Sequence, residues 1–129
     1  MSSKRRSAAS IAGYAAIDVV LVVVFVLIGR RNHHEGFVLL GTVTTLWPFL
    51  AGLAVGWLAM RAWRSPTRVA WTGIGIWIAT VGVGMALRAV SGQGTAVSFV
   101  VVATLVLGLF LIGWRALTLL AVRRRPVMA

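Results

Sequence analysis

Four long apolar stretches occupy most of this 129-residue chain, and they constrain its fold more than any other feature. They cover about residues 8–28, 37–60, 69–90 and 96–122. Each holds about 20 residues or more, enough at roughly 1.5 Å of rise per residue for a helix to cross a hydrocarbon core of about 30 Å. The sequence therefore predicts an all-α integral membrane protein, a compact bundle of four transmembrane helices in a lipid bilayer.

The segments between these stretches are short, so residues 1–129 are expected to form a single membrane domain. The first stretch follows basic residues, as a signal peptide does, but it is too long for a signal peptide core. Gly29-Arg30-Arg31 is also a poor cleavage site, which favours a retained helix. The chain has no cysteine, which excludes disulfides, thiolate metal sites and cysteine nucleophiles.

The basic residues indicate topology rather than nucleic-acid binding. The formal net charge is +11, and the basic residues cluster at the ends of the apolar stretches. With both termini cytoplasmic, about nine of the 13 basic residues lie on the inner side, as the positive-inside rule favours. We expect a multi-pass protein of the cell (plasma) membrane with cytoplasmic termini. An inner aromatic belt is predicted from Trp57, Trp63, Trp71 and Trp114.

Three charged residues fall within the predicted spans: Asp18, Arg88 and Arg115. A carboxylate at the centre of a membrane helix costs roughly 2.5 to 3.5 kcal/mol, so Asp18 needs a partner. Counting along the helices places Asp18 at mid-membrane, about 15 Å from each surface. Arg115 matches this depth better than Arg88. Together with Thr80 on the third helix, the three residues are predicted to form an interior charge line that continues to the outer loops.

Two functions are compatible with this line. The first is a transporter or permeation protein for a proton, an anion or a small amphiphile. The alternative is a non-transporting module that binds a lipid, an apolar cofactor or a partner protein. In the alternative, Asp18 and Arg115 form a structural ion pair and Arg88 extends to the headgroups.

Polar residues in the outer loops form a second group of candidates. The loops read Gly29-Arg30-Arg31-Asn32-His33-His34-Glu35-Gly36 and Ser91-Gly92-Gln93-Gly94-Thr95. Adjacent histidines in one loop seldom satisfy a metal alone, so no metal site is predicted. Juxtamembrane arginines commonly contact lipid phosphate. The outer-loop candidates are Arg30, Arg31, His34, Glu35, Gln93 and Thr95.

The second span combines a proline with a face of small residues. Pro48 removes a backbone hydrogen bond and favours a bend, and Thr44 is expected to bond the freed backbone. Small residues such as Gly52 and Gly56 predict close helix packing, and glycine faces left over would support a homo-oligomer. The helix-bend and aromatic candidates for lining a site are Trp47, Pro48, Trp77 and Phe99.

No catalytic motif accompanies these features. The chain lacks a nucleophile with triad context, paired carboxylates, a phosphate loop and a metalloprotease helix. We therefore expect neither enzymatic activity nor a cofactor, and the bilayer is the main partner.

One combination of residues points to a family. It comprises Asp18, Gly29-Arg30-Arg31 with His34-Glu35-Gly36, Trp47-Pro48-Phe49 with Gly56-Trp57, Arg88, Gly92-Gln93-Gly94-Thr95-Ala96 with Ser98-Phe99, and Gly113-Trp114-Arg115. The chain resembles the bacterial and archaeal membrane family labelled domain of unknown function three-zero-five-four. The resemblance covers about Asp18 to Arg115. It implies a small protein of about four helices, and the family label supplies no activity.

Overall fold

A computed structural model describes residues 8–32 and 39–124 of the chain, and the side chains of residues 8–30 and 39–122. Four α-helices follow one another: α1 (Ala8–Asn32), α2 (Leu39–Met60), α3 (Ile74–Val90) and α4 (Val97–Arg124). A 3-10 turn, Ala62–Arg64, and a π-helical turn, Val69–Gly73, connect α2 to α3. Within the described residues there are four spans long and apolar enough to cross a membrane. The predicted multi-pass helical membrane fold is confirmed.

The predicted spans match the helices closely. The largest difference is at the end of α1, which continues to Asn32 rather than ending at residue 28. The third span comprises the π-helical turn together with α3, and it runs from Val69 to Val90. Length and hydropathy therefore located every span.

Glycines bring α2 and α3 into backbone contact. A Cβ atom on Gly52 would lie 2.8 Å from the Thr80 carbonyl oxygen, and one on Gly56 would lie 3.0 Å from Cα of Ile76. Such close approach is the usual packing device of membrane helices, where no hydrophobic force drives association. The small-residue face predicted for α2 therefore packs against α3.

The core lies where all four helices meet. Phe25 of α1 and Phe49 of α2 pack edge to face, with ring centroids 5.5 Å apart, and Phe99 of α4 joins them at 6.1 to 6.4 Å. The other fully or almost fully buried apolar residues are Val22, Val26, Leu53, Ala62, Ile76, Ala103, Leu107 and Leu111. Leu105, Leu109 and Leu117 of α4 instead point outward and are about two-thirds exposed, as lipid-facing residues are.

Pro48 lies inside α2 and leaves the Thr44 carbonyl without its helical donor. The side-chain amide of Gln93, in the loop between α3 and α4, donates to this carbonyl at 3.0 Å. The Thr44 hydroxyl instead donates to the Leu40 carbonyl at 2.8 Å. The expectation that Thr44 satisfies the freed backbone is therefore wrong, because its hydroxyl bonds one turn earlier. The carbonyl that the proline leaves free instead accepts a hydrogen bond from Gln93, and this bond ties the α3–α4 loop to α2.

We expect Gly52→Ala to destabilise the bundle by about 1–3 kcal/mol, since the added methyl group overlaps the backbone of α3. Gly82→Ala is the matched control, because a Cβ atom there would meet nothing within 4 Å. Denaturant unfolding of the purified protein in detergent micelles measures both changes. Equal stability of the two variants would contradict the packing described for α2 and α3.

Candidate functional site

The Asp18 carboxylate is fully buried and accepts four hydrogen bonds. Arg115 binds it end-on, with Nη1 at 2.9 Å from Oδ1 and Nη2 at 2.6 Å from Oδ2. The indole Nε1 of Trp114 donates to Oδ1 and that of Trp57 to Oδ2, each at 2.8 Å. An ionised carboxylate offers about four lone-pair sites. All four are used here, and we call Asp18, Arg115, Trp57 and Trp114 the Asp18 cluster.

Arg115 is also completely buried, and its remaining contacts tie it to backbone. Its Nε donates to the Pro66 carbonyl at 2.7 Å, and Nη1 donates to the Leu111 carbonyl at 2.9 Å. The guanidinium also lies over the Trp114 ring, 4.6 Å from its centroid. Such bidentate, hydrogen-bonded pairing compensates much of the desolvation that burial imposes on two charges.

The loop between α2 and α3 folds inward to reach this cluster. Pro66 is fully buried, and a Cβ atom on Gly73 would lie 3.2 Å from Cδ of Arg115. The Thr72 hydroxyl donates to the Ser65 carbonyl at 2.6 Å and holds the π-helical turn to the loop. The loop therefore packs against Arg115, the partner that was predicted for Asp18.

The residues of the predicted charge line occupy different places. Asp18 pairs with Arg115, the partner that depth favoured. Arg88 lies near the other end of the bundle, where Nε and Nη2 donate to the Gly94 carbonyl at 3.0 and 2.8 Å. Thr80 is buried in α3 between them, and within the described part of the chain its hydroxyl has no hydrogen-bond partner. A continuous path through these residues stays a prediction.

Arg88 is held rigidly by the α3–α4 loop. Its Nη1 donates to Oε1 of Gln93 at 3.0 Å, and its guanidinium lies 4.5 Å from the centroid of the Phe99 ring. Because Gln93 also bonds the Thr44 carbonyl, the proline in α2 indirectly fixes Arg88.

Arg30 reaches the same region from α1. Its Nη1 donates to the Gly41 carbonyl at 3.2 Å and to the Thr45 hydroxyl at 3.1 Å. The absence of a side chain at Gly41 makes room for the guanidinium. Two arginines from distant parts of the sequence thus meet at one end of the bundle.

Arg30 and Arg88 line a partly open cavity of about 530 Å³, which we call the arginine cavity. Its polar lining comes from all four helices and the α3–α4 loop, and its apolar lining comes from α1, that loop and α4. Among the described residues, the lining comprises Phe25, Val26, Gly29, Arg30, Thr45, Arg88, Gln93, Gly94, Ala96, Ser98, Phe99 and Val102. The sequence singled out Arg30, Arg88, Gln93 and Phe99 separately, and the fold brings them together.

The other candidates lie elsewhere. Thr95 is exposed in the loop and does not line the cavity. Trp47 is 41% exposed on the surface of α2, whereas Pro48 is buried. Trp77 donates its indole N–H to the Thr104 carbonyl at 2.8 Å. The side chain of Arg31, together with His34 and Glu35, lies outside the described residues.

Sequence reasoning missed the role of two tryptophans. Trp57 and Trp114 were assigned to an interfacial belt, but their indole groups point inward to Asp18. Trp63 and Trp71 are 40% and 51% exposed, as a belt requires. Side-chain chemistry could have predicted this role, because a buried carboxylate needs hydrogen-bond donors and the indole N–H is a donor that cannot accept.

We expect Asp18→Asn to destabilise the protein by about 3–5 kcal/mol, because it leaves the Arg115 charge buried without its counterion. The amide would also direct N–H groups at other donors. Unfolding in detergent micelles measures the loss, with Arg64→Gln, an exposed charge, as the control.

Removal of both charges provides the second arm of this test. Asp18→Leu combined with Arg115→Met should lose less stability than the sum of the two single changes, since no buried charge is left unpaired. Strict additivity in this double-mutant cycle would show that the ion pair contributes nothing specific.

Comparison with family models gives one match. Residues 15–118 match the family described as "Protein of unknown function (DUF3054)". Searches of curated proteins and of solved structures found no match. The matched segment contains the Asp18 cluster and the whole arginine cavity, so both belong to the region that the family model describes. The chain is therefore a member of this membrane protein family of unknown function.

Proposed function

We propose that the protein is a non-enzymatic membrane module that binds an anionic amphiphile in the arginine cavity. The observation that carries this proposal is the pair of guanidinium groups on a cavity whose other walls include aromatic and aliphatic side chains. A volume of about 530 Å³ falls within the range of small-molecule sites, which are mostly apolar with a few placed polar groups.

Charge counting supports an anionic ligand. The sequence holds only two acidic residues, and Asp18 is engaged by Arg115. The other, Glu35, carries a single charge and cannot balance both Arg30 and Arg88. Whatever Glu35 contacts, the cavity region keeps a net positive charge that an external anion would neutralise. Arginine suits such a role, since its planar fork binds carboxylate or phosphate through two parallel hydrogen bonds.

The distribution of lining residues supports an amphiphile over a free anion. Arg30, Arg88 and Gln93 lie at the loop end, whereas Phe25 and Val102 line the part that extends along the helices. Val102 is 52% exposed, and Ser98 is exposed as well. The cavity thus opens sideways between α1 and α4, where the surrounding lipid lies, and an acyl chain would enter there.

The Asp18 cluster supports a structural role for the ion pair in this module. Every acceptor site of the carboxylate is occupied by a donor of the protein, which leaves no site for a transported proton or cation. We assign Asp18 and Arg115 to holding α1, α4 and the α2–α3 loop in register.

We further propose that the termini are cytoplasmic, on the strength of the positive-inside rule. The arginine cavity, at the end that carries the α3–α4 loop, would then face the outer leaflet of the cell membrane.

Permeation is the second candidate, and the buried hydroxyl of Thr80 favours it. This hydroxyl lies between the two ends of the bundle without a hydrogen-bond partner among the described residues. Unsatisfied polar groups are costly in a hydrocarbon environment, and a passing water molecule or solute would satisfy this one.

The binding proposal predicts that dodecyl phosphate binds the protein in phosphatidylcholine nanodiscs, and that Arg88→Gln weakens the affinity about tenfold. The reason is the loss of charge-assisted hydrogen bonds, each worth about 1.5–3 kcal/mol. Isothermal titration calorimetry gives both affinities. Arg64→Gln, an exposed arginine of the α2–α3 loop, is the matched control and should bind as the wild type does.

Two further titrations separate the ligand classes. Neutral dodecyl maltoside should bind at least tenfold more weakly than dodecyl phosphate, and inorganic phosphate should also bind weakly because it lacks a chain. Equal affinity for inorganic and dodecyl phosphate would indicate that the ligand is a free anion rather than an amphiphile. Failure of dodecyl phosphate to bind would overturn the proposal.

Liposome flux distinguishes permeation from binding. If permeation uses Thr80, Thr80→Val lowers proton or phosphate flux severalfold while the isosteric change preserves packing. For a binding module, we expect the flux of wild-type liposomes to equal that of protein-free liposomes. A wild-type flux above this background that falls in Thr80→Val would establish the second candidate.

A further inference from the structure

A second hollow lies on the lipid-facing surface, along the same pair of helices as the arginine cavity. It is a shallow apolar groove of about 500 Å³, which we call the Gly113 groove. Leu21 of α1 forms one side, and α4 forms the other with Leu109, Phe110, Gly113, Trp114, Ala116 and Leu117. Because Gly113 has no side chain, the surface recedes there, and a Cβ atom at that position would meet nothing within 4 Å.

The two hollows lie on one face of α4. Ser98 and Val102 line the arginine cavity, and Leu109, Gly113 and Ala116 line the groove. These five positions are separated by 4, 7, 4 and 3 residues. At 3.6 residues per turn they fall within an arc of roughly 60°. The cavity and the groove are thus successive parts of one seam between α1 and α4.

The seam is longer than one leaflet is deep. Ser98 and Gly113 are 15 residues apart, which corresponds to about 22 Å along the helix axis. One leaflet supplies only about half of a hydrocarbon core of about 30 Å. A lipid tail that ends at the bilayer midplane, about 15 Å from a headgroup at Arg30 and Arg88, would stop before the Gly113 groove, because Leu109 at its near end lies about 16 Å along α4 from Ser98. A longer chain would reach it.

The face between the hollows is open and apolar. Leu105 and Leu109 are 67% and 70% exposed, and the groove has almost no polar lining. The exposed residues along this face are apolar, whereas Arg30 and Arg88 supply positive charge at the arginine cavity. The ligand that matches both properties has a compact anionic head and one long hydrocarbon chain.

Resting on the proposed binding function, the geometry points to a single-chain lipid phosphate whose extended chain exceeds one leaflet, of the polyprenyl phosphate type. Its phosphate binds Arg30 and Arg88, and its chain follows the seam to Gly113. The headgroup site accounts for charge selection, and the groove accounts for selection by chain length.

The test compares a long-chain polyprenyl phosphate with dodecyl phosphate in phosphatidylcholine nanodiscs. We expect the wild type to bind the polyprenyl phosphate about tenfold more tightly, because its chain buries additional apolar surface. Gly113→Leu fills the groove and should abolish this difference while leaving dodecyl phosphate affinity unchanged. Arg88→Gln should weaken both ligands.

Gly82→Leu is the matched control, since it adds the same side chain on the exposed surface of α3, where a Cβ atom also meets nothing. It should bind both lipids as the wild type does. Unfolding of each variant establishes that the bundle is intact.

The outcomes separate the two proposals. If neither phosphate binds, the proposed function itself fails. If dodecyl phosphate binds but the longer chain adds no affinity, or Gly113→Leu retains the difference, the chain-length inference is wrong and the binding module stands. A change in the oligomeric mass of Gly113→Leu, seen by native mass spectrometry, would show that a second copy covers the seam and would also overturn the inference.

Discussion

The structure depends on how one buried negative charge is satisfied. In a hydrocarbon environment an isolated carboxylate is expensive, and Asp18 avoids this by accepting hydrogen bonds from α2 and α4 at once. The same four bonds fix the rotation of three helices, because the Asp18 oxygens, the two indoles and the guanidinium must converge on one point. Glycine packing brings α2 and α3 together, but it does not specify where α1 and α4 face. The Asp18 cluster supplies that information.

The connection between α2 and α3 follows from the same requirement. Arg115 has more N–H donors than the Asp18 carboxylate can accept, and its Nε donates to the Pro66 carbonyl. That bond requires the loop to turn inward, and the π-helical turn before α3 widens the path of the chain at Gly73, against the Arg115 side chain. The irregular backbone at this end thus packs against Arg115 through Pro66 and Gly73.

Fold and site were predictable from the sequence to different degrees. The length and hydropathy of a span can be read along the sequence, so they were sufficient to locate the helices. Counting residues from the helix ends was sufficient to favour Arg115 as the partner of Asp18. The roles of Trp57 and Trp114 depend on which way each helix faces, which the nearly uniform apolar composition of α1 and α4 leaves open. The arginine cavity was less accessible still. The cavity forms only where α1, α4 and the α3–α4 loop meet. The position of that loop depends on the hydrogen bond from Gln93 to the Thr44 carbonyl, and this bond cannot be read from the sequence.

The surroundings of arginine differ between the two ends of the bundle, and this difference bears on function. At one end Arg115 is fully buried, and the protein supplies its counterion, two indole donors to that counterion and two backbone acceptors. At the other end two arginines line an open cavity, and the single acid left in the sequence cannot neutralise both. A role limited to stability explains the first arrangement, since a closed ion pair needs nothing from outside. It does not explain the second, where Gln93, Gly94 and Phe99 hold the Arg88 guanidinium in position on the wall of a cavity. A preorganised charge beside an apolar wall lowers the entropic cost of binding an anionic headgroup, and that advantage is realised only when such a ligand arrives.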